Sequence, residues 1–439
     1  MSDDDVATRG WLDAHMNLEA LGVPNGRTRR TTLPTLERIE QLTALLGSPQ
    51  AEFPALHITG TNGKTSVTRM VGTLLRSTGL STGAYTSPHL ERVNERMTWE
   101  GDPIADEALT ALLALVAAVE PHLDELPSWF EIVTAVAFRW FADVAVEVAA
   151  IEVGLGGRWD ATNVVNGRVA VVSNVDVDHV DFLGPTRADI AREKAGIIKP
   201  GCDLVLGETD PELELLFLER EPDRVFRRGV DFGVLDSRRA LGGRVLDLYT
   251  SGVTYRDVFL PLHGAHQADN AALALMAVQA FLDGPLSQEV VVDAFAAVRT
   301  PGRLEVVGHQ PLVLLDGAHN VAGAHALVRA LREEFPDTPR TLVVGFLQEK
   351  DPTEMLEALG VHDAQRIVCC APPSPRARDP REVAEAAYDL GVPPEAVTVI
   401  DDVNEAVGDA IDEAGEDGQV VVTGSLYLVG AARAALVRD

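Results

Sequence analysis

The chain has 439 residues, of which 46% are hydrophobic, and a formal net charge of −30 from 37 Lys+Arg against 67 Asp+Glu. That length suits two or three domains with a sizeable core, and that charge excludes electrostatic binding of nucleic acid or of an anionic membrane. Only four of the basic residues are lysines (Lys64, Lys194, Lys199 and Lys350), so a lysine inside a motif is informative. The acids are spread along the whole length. They read either as adaptation to a salt-rich cytoplasm, where carboxylates keep the surface hydrated, or as an ordinary acidic chain from a high-GC genome. Cys202, Cys369 and Cys370 lack metal-ligand spacing and fit a reducing cytosol. The acidic start, Met1-Ser2-Asp3-Asp4-Asp5, is unlike a signal peptide, and no run of eighteen apolar residues predicts a membrane span.

In chain order, residues 10–47 read as two helical pieces around the turn Gly22-Val23-Pro24-Asn25-Gly26. Arg27, Arg29 and Arg30 follow, and either hold an anionic group or pair with the acidic surface. Residues 55–58 predict a short buried strand. Gly60-Thr61-Asn62-Gly63 then turns into a helix that starts near Lys64-Thr65-Ser66. Its apolar face is Val67, Met70, Val71, Leu74 and Leu75. In that context small residues let backbone N–H groups converge on an anion, and the helix N-terminus adds positive potential. Lys64 is placed to reach outer phosphates, and Thr65 or Ser66 to offer a hydroxyl to Mg²⁺. The spacing departs from the standard phosphate loop, because Ile58 stands where its first glycine belongs. The alternative is an ordinary strand–helix turn that holds a lysine.

Thr86-Ser87-Pro88-His89 breaks the next strand into a loop carrying a hydroxyl and an imidazole. Helices are expected at 109–119 and 130–141, with Glu131 in the first turn of the second. A strand at 149–153 puts Glu152 near its carboxyl end, ahead of Gly154-Leu155-Gly156-Gly157-Arg158-Trp159-Asp160-Ala161-Thr162-Asn163. Carboxyl ends of parallel strands line the ligand crevice, and a carboxylate there suits Mg²⁺. A second strand at 169–174 brings His179 to the same edge. A helix over 186–198 carries Lys194. Residues 203–262 predict a small β-rich section, and a helix over 271–282 follows Asn270, which is either its cap or a ligand contact. Arg299-Thr300-Pro301-Gly302-Arg303 reads as a linker. Beyond it, strands at 312–315, 341–345, 366–370 and 419–423 alternate with helices, and Asp316 and His319 end the first of them. The expected fold is α/β: a parallel-sheet, phosphate-loop ATPase domain over 1–298, a linker at 299–303, and a smaller Rossmann-like α/β domain over 304–439.

Together these motifs resemble the ATP-dependent Mur ligase superfamily, and within it the dihydrofolate synthase/folylpolyglutamate synthase family. The resemblance spans nearly the whole chain. It is carried by the Gly60 loop, Thr86-Ser87-Pro88-His89, the Glu152–Asn163 motif, Glu193-Lys194-Ala195-Gly196, Pro301-Gly302-Arg303 and Asp316-Gly317-Ala318-His319-Asn320. Two positions depart from the family pattern: Thr65 in place of glycine, and Trp159 in place of leucine.

The resemblance implies ATP bound by Gly60, Thr61, Asn62, Gly63, Lys64, Thr65, Ser66 and Asn270, with Arg303, Asp316 and His319 supplied by the second domain. It implies two Mg²⁺ ions held by Ser87, Glu152, His179 and Lys194, the lysine as a carbamate, and catalytic roles for Lys64, Lys194 and His179. It assigns substrate contact to Asn25, Gly26 and Arg27, to Ser128, Trp129, Phe130 and Glu131, and to Trp159, Asp160 and Ala161. The implied reaction joins L-glutamate to dihydropteroate and to reduced folates through an acyl phosphate, in a cytoplasmic monomer with no nucleic-acid or membrane partner. The competing expectations are another amino-acid ligase of the superfamily, of the peptidoglycan type, and a nucleotide-binding protein without ligation chemistry.

Overall fold

The structure is a computed structural model that describes residues 3–17, 19, 35–336 and 339–437. The expected turn at 22–26 and the candidates Asn25, Gly26, Arg27, Arg29 and Arg30 lie outside the described residues. By its contacts the chain divides into two units. The first holds the chain up to Arg238 with Val245–Pro261 and Ala268–Val298; the second holds Arg239–Arg244, Leu262–Gln267 and the chain from Arg299.

The first unit is built on eight strands: β1 (Ala55–Thr59), β2 (Thr82–Tyr85), β3 (Met97–Trp99), β4 (Asp102–Pro103), β5 (Val148–Glu152), β6 (Gly167–Val172), β7 (Asp203–Leu206) and β8 (Val225–Arg227). Their order is β4-β3-β2-β5-β1-β6-β7-β8. From β2 to β8 every pairing is parallel, while β3 and β4 add an antiparallel edge. Every residue of β1 and β5 is buried, as expected of parallel strands covered on both faces and so written as continuous apolar runs. One core gathers Phe53, Tyr85, Phe138 and Phe141 around the helix Trp129–Asp143; another gathers Val172, Ile190, Leu204 and Phe217 around the helices Arg187–Lys194 and Pro211–Leu218.

The chain leaves β1 through the helix Lys64–Ser77 to β2 on one side, then crosses from β5 over to β6 on the other. The winding reverses at β1, so the carboxyl ends of β5, β1 and β6 form the crevice where ligands of such sheets bind. A three-stranded meander follows, β9 (Gly233–Ala240), β10 (Gly243–Thr250) and β11 (Val253–Leu260). The β-rich section expected over 203–262 therefore holds one unforeseen helix, Pro211–Leu218. Asp210 caps it and proline stands at its first position, a start signal legible in Asp-Pro.

The second unit carries a six-stranded sheet in the order β12-β13-β17-β14-β15-β16. Its strands are β12 (Glu305–His309), β13 (Leu312–Asp316), β14 (Arg340–Val344), β15 (Arg366–Cys369), β16 (Val397–Val399) and β17 (Gln419–Thr423). All pairings are parallel except β12 with β13. Alternation of strand and helix forces this parallel arrangement, and Leu314, Val344, Phe346, Leu356 and Val421 fill one side of the sheet.

Candidate active site

The loop after β1 is shaped by two glycines that no other residue can replace. Gly60 has φ +155, and a Cβ there would lie 1.8 Å from Ser173 Oγ; Gly63 has φ +84, and its Cβ would lie 2.7 Å from Asn270 Oδ1. Asn270 is thus packed against the loop. It is not a cap, because its helix begins earlier, at His266. The loop is laced to the segment after β6. Thr61 N donates to Asn174 O at 3.0 Å. Asn62 N donates to Asn174 Oδ1 at 2.9 Å, and Asn62 O accepts from Ser173 Oγ at 2.6 Å and from Asn174 Nδ2 at 3.1 Å. Thr61 Oγ1 accepts from Asp176 N at 2.9 Å and donates to Asp176 O at 3.1 Å. Nothing in the sequence singles out Ser173 or Asn174; the signal is the adjacency of β1 and β6, which only the strand order reveals.

The helix starts at Lys64, and Val67 N is the first amide to bond back, to Gly63 O at 2.9 Å. The N–H groups ahead of it form the positive end of the helix. Lys64 Nζ lies over the loop, donating to Gly60 O at 3.0 Å and Thr61 O at 3.2 Å. Thr65 Oγ1 donates to Glu152 Oε1 at 2.9 Å, and Ser87 N donates to Glu152 Oε2 at 3.2 Å. The register explains this meeting: Glu152 pairs with Ile58 and Ile151 with Tyr85, so the ends of β1, β2 and β5 bring loop, carboxylate and Ser87 together. Glu152 and Ser87 are both buried. A buried carboxylate among hydroxyl oxygens is a donor set that suits Mg²⁺, which takes few protein ligands and keeps waters and phosphates for the rest.

Lys194 is buried at the end of the helix Arg187–Lys194. The expected helix to 198 is shorter and tightens into a 3₁₀ turn at Ala195–Ile197, because the Gly154–Trp159 loop presses against it. A Cβ on Gly157 would lie 2.9 Å from Glu193 O, and one on Gly196 would lie 2.4 Å from Arg158 Cα. Arg158 N donates to Glu193 O at 2.9 Å. Burial, and after it the charge of Lys64, holds the Lys194 amine well below its ordinary value, with Asp178 opposing. His179 follows in a left-handed conformation, φ 50, with its side chain 47% exposed and Nε2 3.8 Å from Asp178 Oδ2. Among the described residues, no three His, Cys, Asp or Glu side chains form a metal-binding group. Ser87 and Glu152 are therefore joined directly, whereas His179 stands at the edge of the site, half in solvent.

The segment 128–131 opens the helix Trp129–Asp143. Ser128 and Glu131 form a capping box, with Glu131 N donating to Ser128 Oγ at 3.2 Å and Ser128 N donating to Glu131 Oε2 at 2.6 Å. Arg38 Nε donates to both Glu131 oxygens at 3.2 Å. The polar atoms of these two candidates are thus engaged within the fold, and Ser-x-x-Glu is a sequence signature for that role. Trp129 is buried with the Arg96 guanidinium 4.7 Å above its ring. Arg96, itself fully buried, donates from Nε to His89 Nδ1 at 2.8 Å. Burial, then Arg96, pushes the His89 imidazole down to about 4.

Phe130 faces Gly154, where a Cβ would lie 2.6 Å from Phe130 Cζ and 3.1 Å from Asp160 Oδ2. Asp160 is turned inward. It accepts from Leu155 N at 2.9 Å, from Thr162 N at 3.0 Å and from Thr162 Oγ1 at 2.5 Å. Burial pushes its carboxyl up, against these hydrogen bonds that hold it down. Ala161 is buried behind it, and Trp159 is 46% exposed. What these segments offer outward is aromatic, Phe130 and Trp159, rather than charged.

In the second unit, Asp316 ends β13. Its carboxylate accepts from Leu304 N at 2.8 Å and Ala318 N at 2.9 Å, knitting the segments after Gly302 and Asp316 together. Burial pushes its carboxyl up, with Arg303 opposing. Gly317 O accepts from Arg303 Nη1 at 3.5 Å and lies 2.8 Å from His319 Nδ1. Asp316 thus fixes the backbone from which Arg303 and His319 project.

Residues 130–278 match the Mur ligase middle domain, and residues 302–426 match the Mur ligase glutamate ligase domain. The dihydrofolate synthase/folylpolyglutamate synthase of Mycobacterium tuberculosis is 41% identical over 92% of this chain and 91% of its own length. The crystal structure of M. tuberculosis folylpolyglutamate synthase complexed with ADP and AMPPCP superposes with a TM-score of 0.90 at 39% identity, covering 99% of each chain. E. coli FolC in complex with DHPP and ADP superposes with a TM-score of 0.83 at 30% identity, covering 96% of each chain.

Proposed function

The chain belongs to the dihydrofolate synthase/folylpolyglutamate synthase family of ATP-dependent Mur ligases, and from that membership we propose that it joins L-glutamate both to dihydropteroate and to the glutamate tail of reduced folates. The observation that carries the reading is the meeting of Thr65, Ser87 and Glu152 at the mouth of the glycine loop. That grouping puts oxygen donors beside a helix N-terminus, where a nucleotide's phosphates and a divalent cation are neutralised together. ATP contact is assigned to Gly60–Ser66 and Asn270, and in the second unit to Arg303 and His319 on the backbone that Asp316 braces.

In the reaction, a carboxylate oxygen of the acceptor attacks the γ-phosphorus of ATP. ADP departs and an acyl phosphate forms. Lys64, which lies over carbonyls of its own loop, is within reach to leave them and neutralise the moving phosphoryl group. The neutral amine of glutamate then attacks the acyl carbon, phosphate leaves with the C–O bond, and the amine proton goes to a base or to the departing phosphate. Mg²⁺, as two ions, supplies charge neutralisation on the phosphates, with Ser87, Glu152, His179 and Lys194 as its candidate protein partners. Burial shifts the Lys194 amine toward its neutral form, the form that adds CO₂ and releases a proton, and a carbamate there would turn a cation into an oxygen ligand. Phe130 and Trp159 give the acceptor's rings an apolar wall; Arg27 and its neighbours are assigned to the tail carboxylates. Among the described residues no helix is long and apolar enough to cross a membrane, and the reading is of a monomer that works in the cytoplasm.

The test is purified protein with ATP, Mg²⁺ and labelled glutamate, offered dihydropteroate or tetrahydrofolate separately. Incorporation with both is expected. Incorporation with one names a single activity, and incorporation with neither removes the reading.

A further inference from the structure

His57 is in β1, wholly buried, and no phosphate chemistry requires it there. Its Nε2 lies 2.9 Å from Thr162 Oγ1, which in turn lies 2.5 Å from Asp160 Oδ1. The direction of this chain follows from its far end. The Asp160 carboxylate only accepts, so the single hydroxyl proton of Thr162 points at it. Thr162 Oγ1 then has only lone pairs left for the imidazole, which fixes His57 as the Nε2–H tautomer. Its Nδ1, then unprotonated, is a buried atom with no partner, consistent with that assignment. Burial, and secondly the charge of Lys199, pushes the imidazole down to about 3, so the ring stays neutral at working pH.

We infer that His57 is a positioning residue for acceptor binding: through Thr162 it orients Asp160, and Asp160 sets the glycine-rich loop against Phe130. The last link is the bond from Leu155 N to Asp160 Oδ2. Gly154, next to Leu155, packs on Phe130. Trp159 precedes Asp160 directly, so the carboxylate's orientation sets where the indole is presented. The later part of the loop is held by Thr59 Oγ1 to Gly156 O at 2.7 Å and by Arg158 N to Glu193 O at 2.9 Å, so the Asp160 bond acts on its first residues, Gly154 and Leu155, beside Phe130. The relay anchors them to the most buried strand of the sheet, the one that also carries the nucleotide loop. The inference rests on the reading of Phe130 and Trp159 as the acceptor wall.

The test compares His57→Leu, which keeps the volume and deletes the donor, with His57→Gln, whose amide N–H reaches a similar distance. For His57→Leu the expected result is an acceptor KM raised about tenfold, the scale of one lost buried hydrogen bond. The KM for ATP, and kcat at saturating acceptor, should stay within about threefold of wild type. His57→Gln should return most of the acceptor affinity. Should His57→Leu fail to fold, Thr162→Val breaks the same relay from its middle and should show the same acceptor-selective rise. An unchanged acceptor KM in an active variant overturns the role of His57, as does a parallel rise for ATP and acceptor that glutamine does not rescue. A wild type inactive with every pterin acceptor is a different result: it removes the acceptor reading itself, and this inference with it.

Discussion

Thr65 Oγ1 donates to Glu152 Oε1 across 2.9 Å, tying the first turn of the glycine-loop helix to the end of β5. Glu152 is buried, and its carboxylate also accepts from the Ser87 amide at 3.2 Å. A buried carboxylate beside hydroxyl oxygens and a helix N-terminus is suited to a divalent cation. Glu152→Gln keeps an oxygen acceptor for Thr65 and removes the charge. We expect glutamate-dependent ADP formation to fall at least about a hundredfold, with the melting temperature close to wild type. Retained activity at ordinary Mg²⁺ concentrations would remove Glu152 from the metal site.

Lys64 Nζ donates to two carbonyls of its own loop, Gly60 O and Thr61 O, and such bonds are worth about 1 kcal/mol each, so its truncation should leave the fold intact. Its charge is another matter, since Lys64 is the one cationic side chain in Gly60–Ser66. Lys64→Ala is expected to lose ATP turnover while its far-ultraviolet circular dichroism stays unchanged. Near-normal turnover in the folded variant would show that the phosphates bind elsewhere.

The loop itself was legible because Gly60, Gly63 and Lys64 are neighbours in sequence, and Glu152 because a strand's end is marked by its apolar run. Some boundaries moved only slightly, the strand expected at 149–153 being Val148–Glu152 and the helix expected at 130–141 being Trp129–Asp143; others moved by a turn, the helix expected over 186–198 ending at Lys194 and the one expected from 271 starting at His266. What stayed hidden depends on strand order. Ser173 and Asn174 hold the loop only because β6 lies next to β1, and His57 meets Thr162 across 105 positions of sequence. Ser128 and Glu131 carry two signals at once: their spacing spells the helix cap that they form, and the resemblance implies acceptor contact at the same segment.

Lys194 makes stability depend on pH in a definite direction. Burial, then Lys64, depresses its folded-state pKa well below the ordinary 10.5. Between the depressed value and 10.5 the unfolded chain binds the extra proton, so stability rises with pH across that window. Below it, both states are protonated and the burial penalty is present in full. In CO₂-free buffer, Lys194→Met should therefore be more stable than wild type at neutral pH, by roughly 1–3 kcal/mol. The difference should shrink toward zero as pH approaches 10.5. A difference that is constant from pH 7 to 10 would mean that Lys194 titrates normally. Added bicarbonate should narrow the gap at pH 7 if the amine is carbamylated.

In the second unit the Glu334 side chain is only 4% exposed and accepts from Arg244 Nη1 at 2.5 Å and Gly264 N at 2.8 Å, with His263 Nδ1 at 2.7 Å. Arg244 is fully buried, at 2% exposure, and a guanidinium cannot shed its proton there. Glu334→Ala strands that charge, and removal of one partner of a buried pair costs about 3–5 kcal/mol. The neighbouring Glu333, 3.0 Å from Arg244 Nη2 but 42% exposed, offsets only part of this. Chemical denaturation would check it: a loss below about 1 kcal/mol would mean that Arg244 is solvated in solution.

Salt acts on this chain through two opposed effects, and the charge count decides between them. Screening weakens ion pairs most at the surface, in pairs such as Arg238 with Asp257 and Arg381 with Asp401, where both partners are more than half exposed. Such pairs are worth about 0–1 kcal/mol each, so little is lost. Screening also relieves repulsion. With 67 acids against 37 basic residues, pairing every cation still leaves an excess of 30 negative charges on the folded surface, and these are closer together folded than unfolded. At about 0.1 M salt the screening length is about 10 Å, and at 1 M about 3 Å, so the repulsion collapses over that range. The melting temperature should therefore climb from millimolar to molar KCl, by circular dichroism at fixed pH. A flat or falling curve would show that the acids are local pairs in an ordinary acidic protein, and would leave the ligase reading untouched.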